Sequence, residues 1–297
     1  MSTAAILIML VSACLHLTWN MLCKSSIKDA RSWMIICFLV AIISSPFLFM
    51  YKEYLPEILK YKQYFLLIGF FNSLQIWAFL VAYRFGDYTF VYPLKSALPI
   101  VFTAIYSIII GQGGNIQPLG YLGFILIIGG CIILPIKNKY DITWKNYINK
   151  AFLFALLAGI GTSVYSTFDS FMTKSVSESL GVSSIHISLL YVPILYTSIA
   201  LTLIPFILLD KYALKIKYTK INIKPLLIVT IFTSSAYTLV LFAYNMAANV
   251  SYIVAFRQVG MPLSFIVGTL FLKEKIYIGK ALGVSIILAG LILTAIF

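Results

Sequence analysis

Four ionisable side chains stand within apolar stretches of this sequence: His16, Lys95, Asp169 and Arg257. A charge near the middle of a bilayer costs roughly 2.5–3.5 kcal/mol on insertion scales, so each must meet a partner, a cavity or a ligand. Lys95 lies between Pro93 and Pro99, and an interior proline also deletes a helix hydrogen bond. Tyr88, Tyr92, Lys95 and Pro99 recur at i, i+4, i+7 and i+11, one stripe of a helix. That stripe can present a cation and aromatic faces to a substrate, or it can bury Lys95 in a salt bridge. Asp169, four residues after Tyr165 and with Thr162 and Thr173 near its face, reads as the one acid deep in a span. A carboxylate there has to be paired, protonated or hydrated, and its expected partners are Lys95, Arg257 or protonated His16.

The chain holds three arginines against nineteen lysines. Using the planar guanidinium at Arg257 suits bidentate capture of a carboxylate or phosphate, or equally a bridge to Asp169. His16, Asn20 and Lys24 follow one another at i, i+4 and i+8, with Trp19 alongside. His16 can donate a single interhelical hydrogen bond, or it can carry a coupling proton because imidazole titrates near neutrality. Lys24 is expected to snorkel to the headgroups. Asn72, Gln75, Phe79 and Tyr83 share a second helix face, where amides either join helices or touch substrate. Tyr237 and Tyr244 add aromatic surface. The candidate substrate-binding residues are therefore Trp19, Asn20, Asn72, Gln75, Tyr83, Tyr92, Lys95, Tyr165, Asp169, Tyr244 and Arg257. His16 and Asp169 are the candidate proton carriers.

These residues need membrane helices to position them. The sequence is 61% hydrophobic and 10% charged, where soluble domains have about 45–50% apolar and about 25% charged residues. Apolar runs predict ten spans at about 3–23, 33–51, 64–85, 88–110, 117–136, 151–174, 185–209, 225–247, 250–272 and 277–297. The basic segment 137–149 separates a five-span unit over 1–136 from another over 150–297. Ala82-Tyr83 with Val91 to Pro99 parallels Ala243-Tyr244 with Val254 to Pro262, and Gly123 and Gly130 parallel Gly283 and Gly290. Two copies of an odd number of spans must be inverted across the membrane. The expected fold is thus an all-α membrane protein of two inverted five-helix repeats around a central cavity. The glycines seven apart, with Gly279-x-x-x-Gly283, read as helix-packing positions that join the halves or two protomers.

The net charge of +13 does not imply nucleic acid, because nearly all of the lysines and arginines lie in loops or at span ends. Their excess after spans one, three, five, seven and nine puts those loops in the cytoplasm and both termini outside. The first apolar run is too long for a cleaved signal and is expected to be retained. The four cysteines form no CxxC pair and read as small core residues.

The sequence resembles the EamA-type transporters of the drug/metabolite transporter superfamily over nearly its whole length. The likeness rests on His16-Leu17-Thr18-Trp19-Asn20 with Lys24, on Tyr83-Arg84-Phe85-Gly86-Asp87 with Tyr92-Pro93-Leu94, and on Tyr165 with Asp169. Arg257 with Phe271-Leu272-Lys273-Glu274-Lys275 completes it. The resemblance implies ten helices in two inverted repeats, a cavity lined by the first four helices of each, and alternating access for small organic solutes. Many relatives carry arginine or a neutral residue where Lys95 stands, and a more polar run after Arg257.

The leading expectation is a secondary transporter of a small polar metabolite in the inner membrane of a bacterium, acting as a monomer or homodimer. Lys95 and Arg257 against Asp169 leave surplus positive charge, which favours an anionic or zwitterionic, amino-acid-like solute. The alternatives are an exporter of cationic or aromatic compounds, with Asp169 and tyrosines as the cation site, and a lipid-carrier flippase. No metal-spaced cluster, GxSxG or P-loop is present, so an enzyme is not expected and no cofactor is implied.

Overall fold

The computed structural model describes residues 3–109, 118–137, 147–181, 184–215, 218, 220–244 and 260–296. Within them the chain is helical and contains no strand. Its long helices are α1 (Thr3–Ser25), α2 (Ala30–Ser44), α3 (Lys62–Phe85), α4 (Tyr88–Ile109) and α5 (Pro118–Ile133). They continue as α6 (Lys150–Leu180), α7 (Ser184–Thr202), α8 (Ile223–Tyr244), α9 (Gly260–Leu270) and α10 (Ile278–Ile296). Among the described residues, six segments are long and apolar enough to cross a membrane: Leu7–Ser25, Ala30–Met50, Lys62–Phe85, Lys150–Leu180, His186–Ala213 and Ile223–Ala243. Leu119–Ile133, Gly260–Leu270 and Ile278–Thr294 are shorter apolar helices. Large apolar side chains such as Ile42, Phe49 and Leu270 point outward, as hydrocarbon-facing residues do.

Local chemistry sets the ends of these helices, and in places it moves them from the predicted limits. Asp29 caps α2 by accepting from the Ser32 amide at 2.8 Å, which starts the helix three residues early. Pro46 then breaks it, and the chain restarts as the short helix Pro46–Met50. Asn149 caps α6 through the Phe152 amide at 2.9 Å. That helix runs past the apolar segment through Ser175-Val176-Ser177-Glu178-Ser179, and stops only at Gly181 with φ +61°. α7 keeps Pro193 in its interior, and the Thr197 hydroxyl donates to the Pro193 carbonyl at 2.8 Å. Beyond Thr202 it continues as Ile204–Leu208 and one π-helical turn, Leu209–Ala213. Of the predicted ninth span the described part is Gly260–Leu270, and most of the basic segment 137–149 lies outside the described residues.

Lipid tails are as apolar as leucine, so close backbone approach and interhelical hydrogen bonds must hold such helices together. α5 packs along α10 through two reciprocal glycine contacts. A Cβ on Gly123 would lie 2.7 Å from the Gly290 carbonyl, and one on Gly290 2.5 Å from the Gly123 carbonyl. Gly130 and Gly283 repeat the exchange at 2.6 and 2.8 Å. The other extensive pairs are α1 on α8, α6 on both α3 and α4, and α7 on both α2 and α3. Ser12 donates to the Ala236 carbonyl at 2.9 Å, Ser73 to Ile199 at 3.0 Å and Ser198 to Phe65 at 2.6 Å. Gly161 lets α6 lie against Phe71 and Gln75 of α3. Cys23, Cys37 and Cys131 are buried free thiols, and Cys14 is exposed.

Candidate functional site

Lys95 sits where the stripe on α4 predicted, buried to 9% exposure, with its described contacts made to rings. Its Nζ lies 4.9 Å from the Phe79 ring centre, 5.3 Å from Tyr92 and 5.7 Å from Trp19. Three helices supply this box: α1 gives Trp19, α3 gives Phe79, and α4 gives both Tyr92 and Lys95. Trp19, Trp33 and Phe79 brace one another with ring centres 5.3 to 6.0 Å apart. An ammonium over desolvated aromatic faces gains about 2 kcal/mol or more per favourable contact, which offsets part of the burial cost. The Tyr92 hydroxyl lies hard against Gly260, where a Cβ would come within 2.6 Å of it. Only glycine lets the start of α9 approach the box so closely.

One turn along, Asn20 of α1 and Tyr83 of α3 meet. The Tyr83 hydroxyl donates to Asn20 Oδ1 at 3.2 Å, and Asn20 Nδ2 donates to the His16 carbonyl at 2.7 Å. His16 accepts from Trp19 Nε1 at 3.1 Å through Nδ1. An indole N–H can only donate, so this contact requires Nδ1 without a proton, and neutral His16 carries its hydrogen on Nε2. Asn72 and Gln75 are buried on α3. Gln75 lies on the seam with Gly161 of α6. No hydrogen bond to either amide occurs among the described residues.

Asp169 belongs to a separate set. Its carboxylate accepts from the hydroxyls of Tyr191 on α7 and Tyr237 on α8. The partners predicted for it were cations, and the described ones are phenols from two neighbouring helices. Tyr196 stands edge-on to Tyr237 with centres 6.3 Å apart, which extends the aromatic lining. Tyr165 is half-buried in the same region of α6. The Tyr244 side chain and all of Arg257 lie outside the described residues.

A polar seam at the end of the molecule carrying Lys24 was not foreseen. Lys24 Nζ donates to the carbonyls of Tyr83 at 2.6 Å and Gly86 at 2.7 Å, the unsatisfied end of α3. Glu274, from the motif after α9, caps α4 by accepting from the Tyr88 amide at 2.6 Å and from the Thr89 amide and hydroxyl at 2.9 Å. Lys280 is 5% exposed and bridges Asp87 Oδ2 at 2.7 Å and Thr89 Oγ1 at 2.8 Å. On the same side Asp210 and Asp29 are each 1% exposed, so Asp169 is not the only buried acid. Asp210 accepts from Trp77 Nε1 at 2.7 Å and the Ala30 amide at 3.3 Å. A pattern search misses these residues because they sit at helix ends, where a charge looks like ordinary loop chemistry. The available signal was Trp77, whose indole needs an acceptor once buried inside a span.

Among the described residues no group of three or more His, Cys, Asp or Glu is placed to hold a metal. No family model matches the chain, and no curated protein matches it in sequence. A solved structure described only as "Crystal structure of protein" matches over 99% of this chain and 99% of its own, with a TM-score of 0.59 and 10% identity. At that identity the two are alike in fold alone.

Proposed function

We propose that this chain is a secondary transporter that moves a small anionic or zwitterionic metabolite across a membrane by alternating access. The observation that carries this reading is the buried Lys95 ammonium held among Trp19, Phe79 and Tyr92. A buried ammonium set among aromatic faces supplies the charge that a substrate carboxylate needs, and ring contacts exchange readily for a charge-assisted hydrogen bond. The pairing of helices supports two inverted five-helix units, as in the EamA-type transporters that the sequence resembles. α1 on α8 answers α6 on α3, and the Gly123–Gly290 and Gly130–Gly283 contacts exchange under a two-fold relation. On the positive-inside rule the Lys24 end is cytoplasmic and both termini are outside.

Proton coupling has a physical route in the same reading. A proton on His16 Nδ1 must break the bond from Trp19, and Trp19 is one wall of the lysine box. Protonation and the geometry around Lys95 are therefore linked through one indole. The second reading, export of a cationic or aromatic compound, draws on Asp169 and its two phenols.

The test is a thermal-shift screen of the purified protein against metabolites, followed by uptake of each hit into proteoliposomes. A ligand at 100 times its Kd stabilises by about 2.7 kcal/mol, enough to register. Lys95→Ala should abolish uptake of the anionic hits, while Asp169→Asn should spare their binding. Unchanged uptake of every anionic hit in Lys95→Ala would falsify the anion reading, and loss of cationic hits alone in Asp169→Asn would establish the second.

A further inference from the structure

A cavity of about 760 Å³ opens on the outer side of the helix assembly, between α2, α3 and α7 and beneath the short helices that follow α2. Phe38 and Ile42 line one wall, Leu66 another, and Ile194 and Leu201 the third. The hydroxyls in its walls are already engaged. Ser45 donates to the Ile42 carbonyl at 2.8 Å, Thr197 to Pro193 at 2.8 Å and Ser198 to Phe65 at 2.6 Å. Such walls offer an occupant mainly apolar contact and no hydroxyl hydrogen left to donate, which suits a hydrocarbon body. Ile42, Leu66 and Leu201 are 66%, 57% and 51% exposed along the mouth, so the cavity opens toward the bilayer in a membrane-embedded chain.

The mouth ends on Lys62 and Gln63, at the first turn of α3. Nearby Lys60 is paired with Glu57 at 2.5 Å. Lys62 has no ion pair and no hydrogen bond among the described residues, and neither does Gln63. An ammonium and a carboxamide therefore present donors side by side at the polar end of a dry slot. We propose that this slot binds one phospholipid with an anionic headgroup, its acyl chain between α2, α3 and α7 and its phosphate against Lys62 and Gln63. The lipid would fill the space that α2 and α3 leave on α7, and would tie those helices together without entering the Lys95 box. The proposal stands apart from the transport reading, because binding is measured without any transport.

Purified protein in detergent is titrated with phosphatidylglycerol, with phosphatidylcholine of the same chains, and with inorganic phosphate, following melting temperature. Phosphatidylglycerol should stabilise saturably and half-saturate at a concentration roughly five-fold below phosphatidylcholine, the difference one basic residue makes near a headgroup. Inorganic phosphate should do nothing. Lys62→Ala should erase the preference while leaving the response to both lipids, and Ala41→Phe, which fills the slot, should remove both responses. Leu201→Trp obstructs the mouth from an exposed position and serves if Ala41→Phe does not fold. Equal half-saturation by the two lipids in the unaltered protein refutes the headgroup contact. A preference that survives Lys62→Ala and either slot-filling change refutes the site, and stabilisation by inorganic phosphate makes it an anion site without a lipid.

Discussion

Replacing Glu274 by Gln should lower thermal stability by several degrees, although the residue lies in the connection between α9 and α10. Three donors converge on its carboxylate: the Tyr88 and Thr89 amides and the Thr89 hydroxyl, at 2.6, 2.9 and 2.9 Å. Gln keeps the size of the side chain but has one acceptor oxygen, so its NH2 must face at least one of those donors. A hydrogen bond to a charged group contributes about 1.5–3 kcal/mol net. The positive end of a helix favours an anion by about 0.3–1 kcal/mol. Losing one bond and the charge at a half-buried site then costs about 2 kcal/mol, the low end of that range because water screens the carboxylate in part. At about 2–4 °C per kcal/mol for a chain of this order of size, melting should fall by about 4–8 °C. Cys23, Cys37 and Cys131 are buried free thiols, so a thiol-reactive dye reports unfolding in detergent as a rise above the signal of the exposed Cys14. Glu178→Gln, an exposed acid on α6, is the control and should shift melting by less than about 1 °C. If Glu274→Gln melts with the control, the carboxylate does not hold α4, and the seam is decoration.

Two further substitutions probe the packing. Gly283→Ala places a methyl 2.8 Å from the Gly130 carbonyl and 3.0 Å from Leu134, both fixed by backbone, so α5 and α10 must part. Overpacking of this kind costs about 1–3 kcal/mol, read as a lower melting temperature. The double change Gly130→Ala/Gly283→Ala should cost less than the sum, because one shift accommodates both, and strict additivity would count against the reciprocal contact. Trp77→Phe removes the indole that donates to Asp210 at 2.7 Å while keeping a ring against Phe154 and Phe206. A buried carboxylate oxygen without that donor costs about 1–3 kcal/mol, and urea or thermal denaturation should register it.

The sequence makes the helical membrane class legible because a bilayer forbids other choices. An apolar run near twenty residues long must satisfy its own backbone, and only a helix does so. The stripe Tyr88, Tyr92, Lys95 is legible for a related reason: period alone puts those residues on one face, and a buried lysine must find something. Trp19 and Phe79 are legible as members of their own faces, while their meeting around Lys95 depends on how three helices cross. Asp169 shows the limit. Charge arithmetic looks for cations beside it and passes over phenols, yet Tyr191 and Tyr237 donate to it, and a phenol supports a carboxylate without adding a second desolvated charge. Lys24 and Glu274 show another limit, because a charge beside a helix end reads as solvated until the orphan carbonyls or amides it serves are located.

The last two turns of α1 are held by two kinds of contact, and the difference constrains how that stretch can move. Near the Lys95 box it contributes Trp19, whose contacts are rings and one bond to His16. From the very next residue on, Asn20 and Lys24 fasten it to α3 through the Tyr83 hydroxyl and the Tyr83 and Gly86 carbonyls. The same turn is clamped from beyond by Glu274 on Tyr88 and Thr89, and by Lys280 on Asp87. Ring contacts slide with little loss, whereas each charge-assisted bond at a helix terminus is lost outright when the partner moves an ångström or two. A rotation of the Trp19 ring within the box is therefore cheap, whereas a shift of the α1 backbone itself meets the Asn20 and Lys24 bonds at once. If a substrate anion does engage Lys95, the ring contacts of Trp19 are the first it can rearrange. Separating α1 from the turn between α3 and α4 would break the Lys24 bonds outright, while Glu274 and Lys280 hold that same turn from its other side, so the turn is the fixed point against which any movement of α1 is measured.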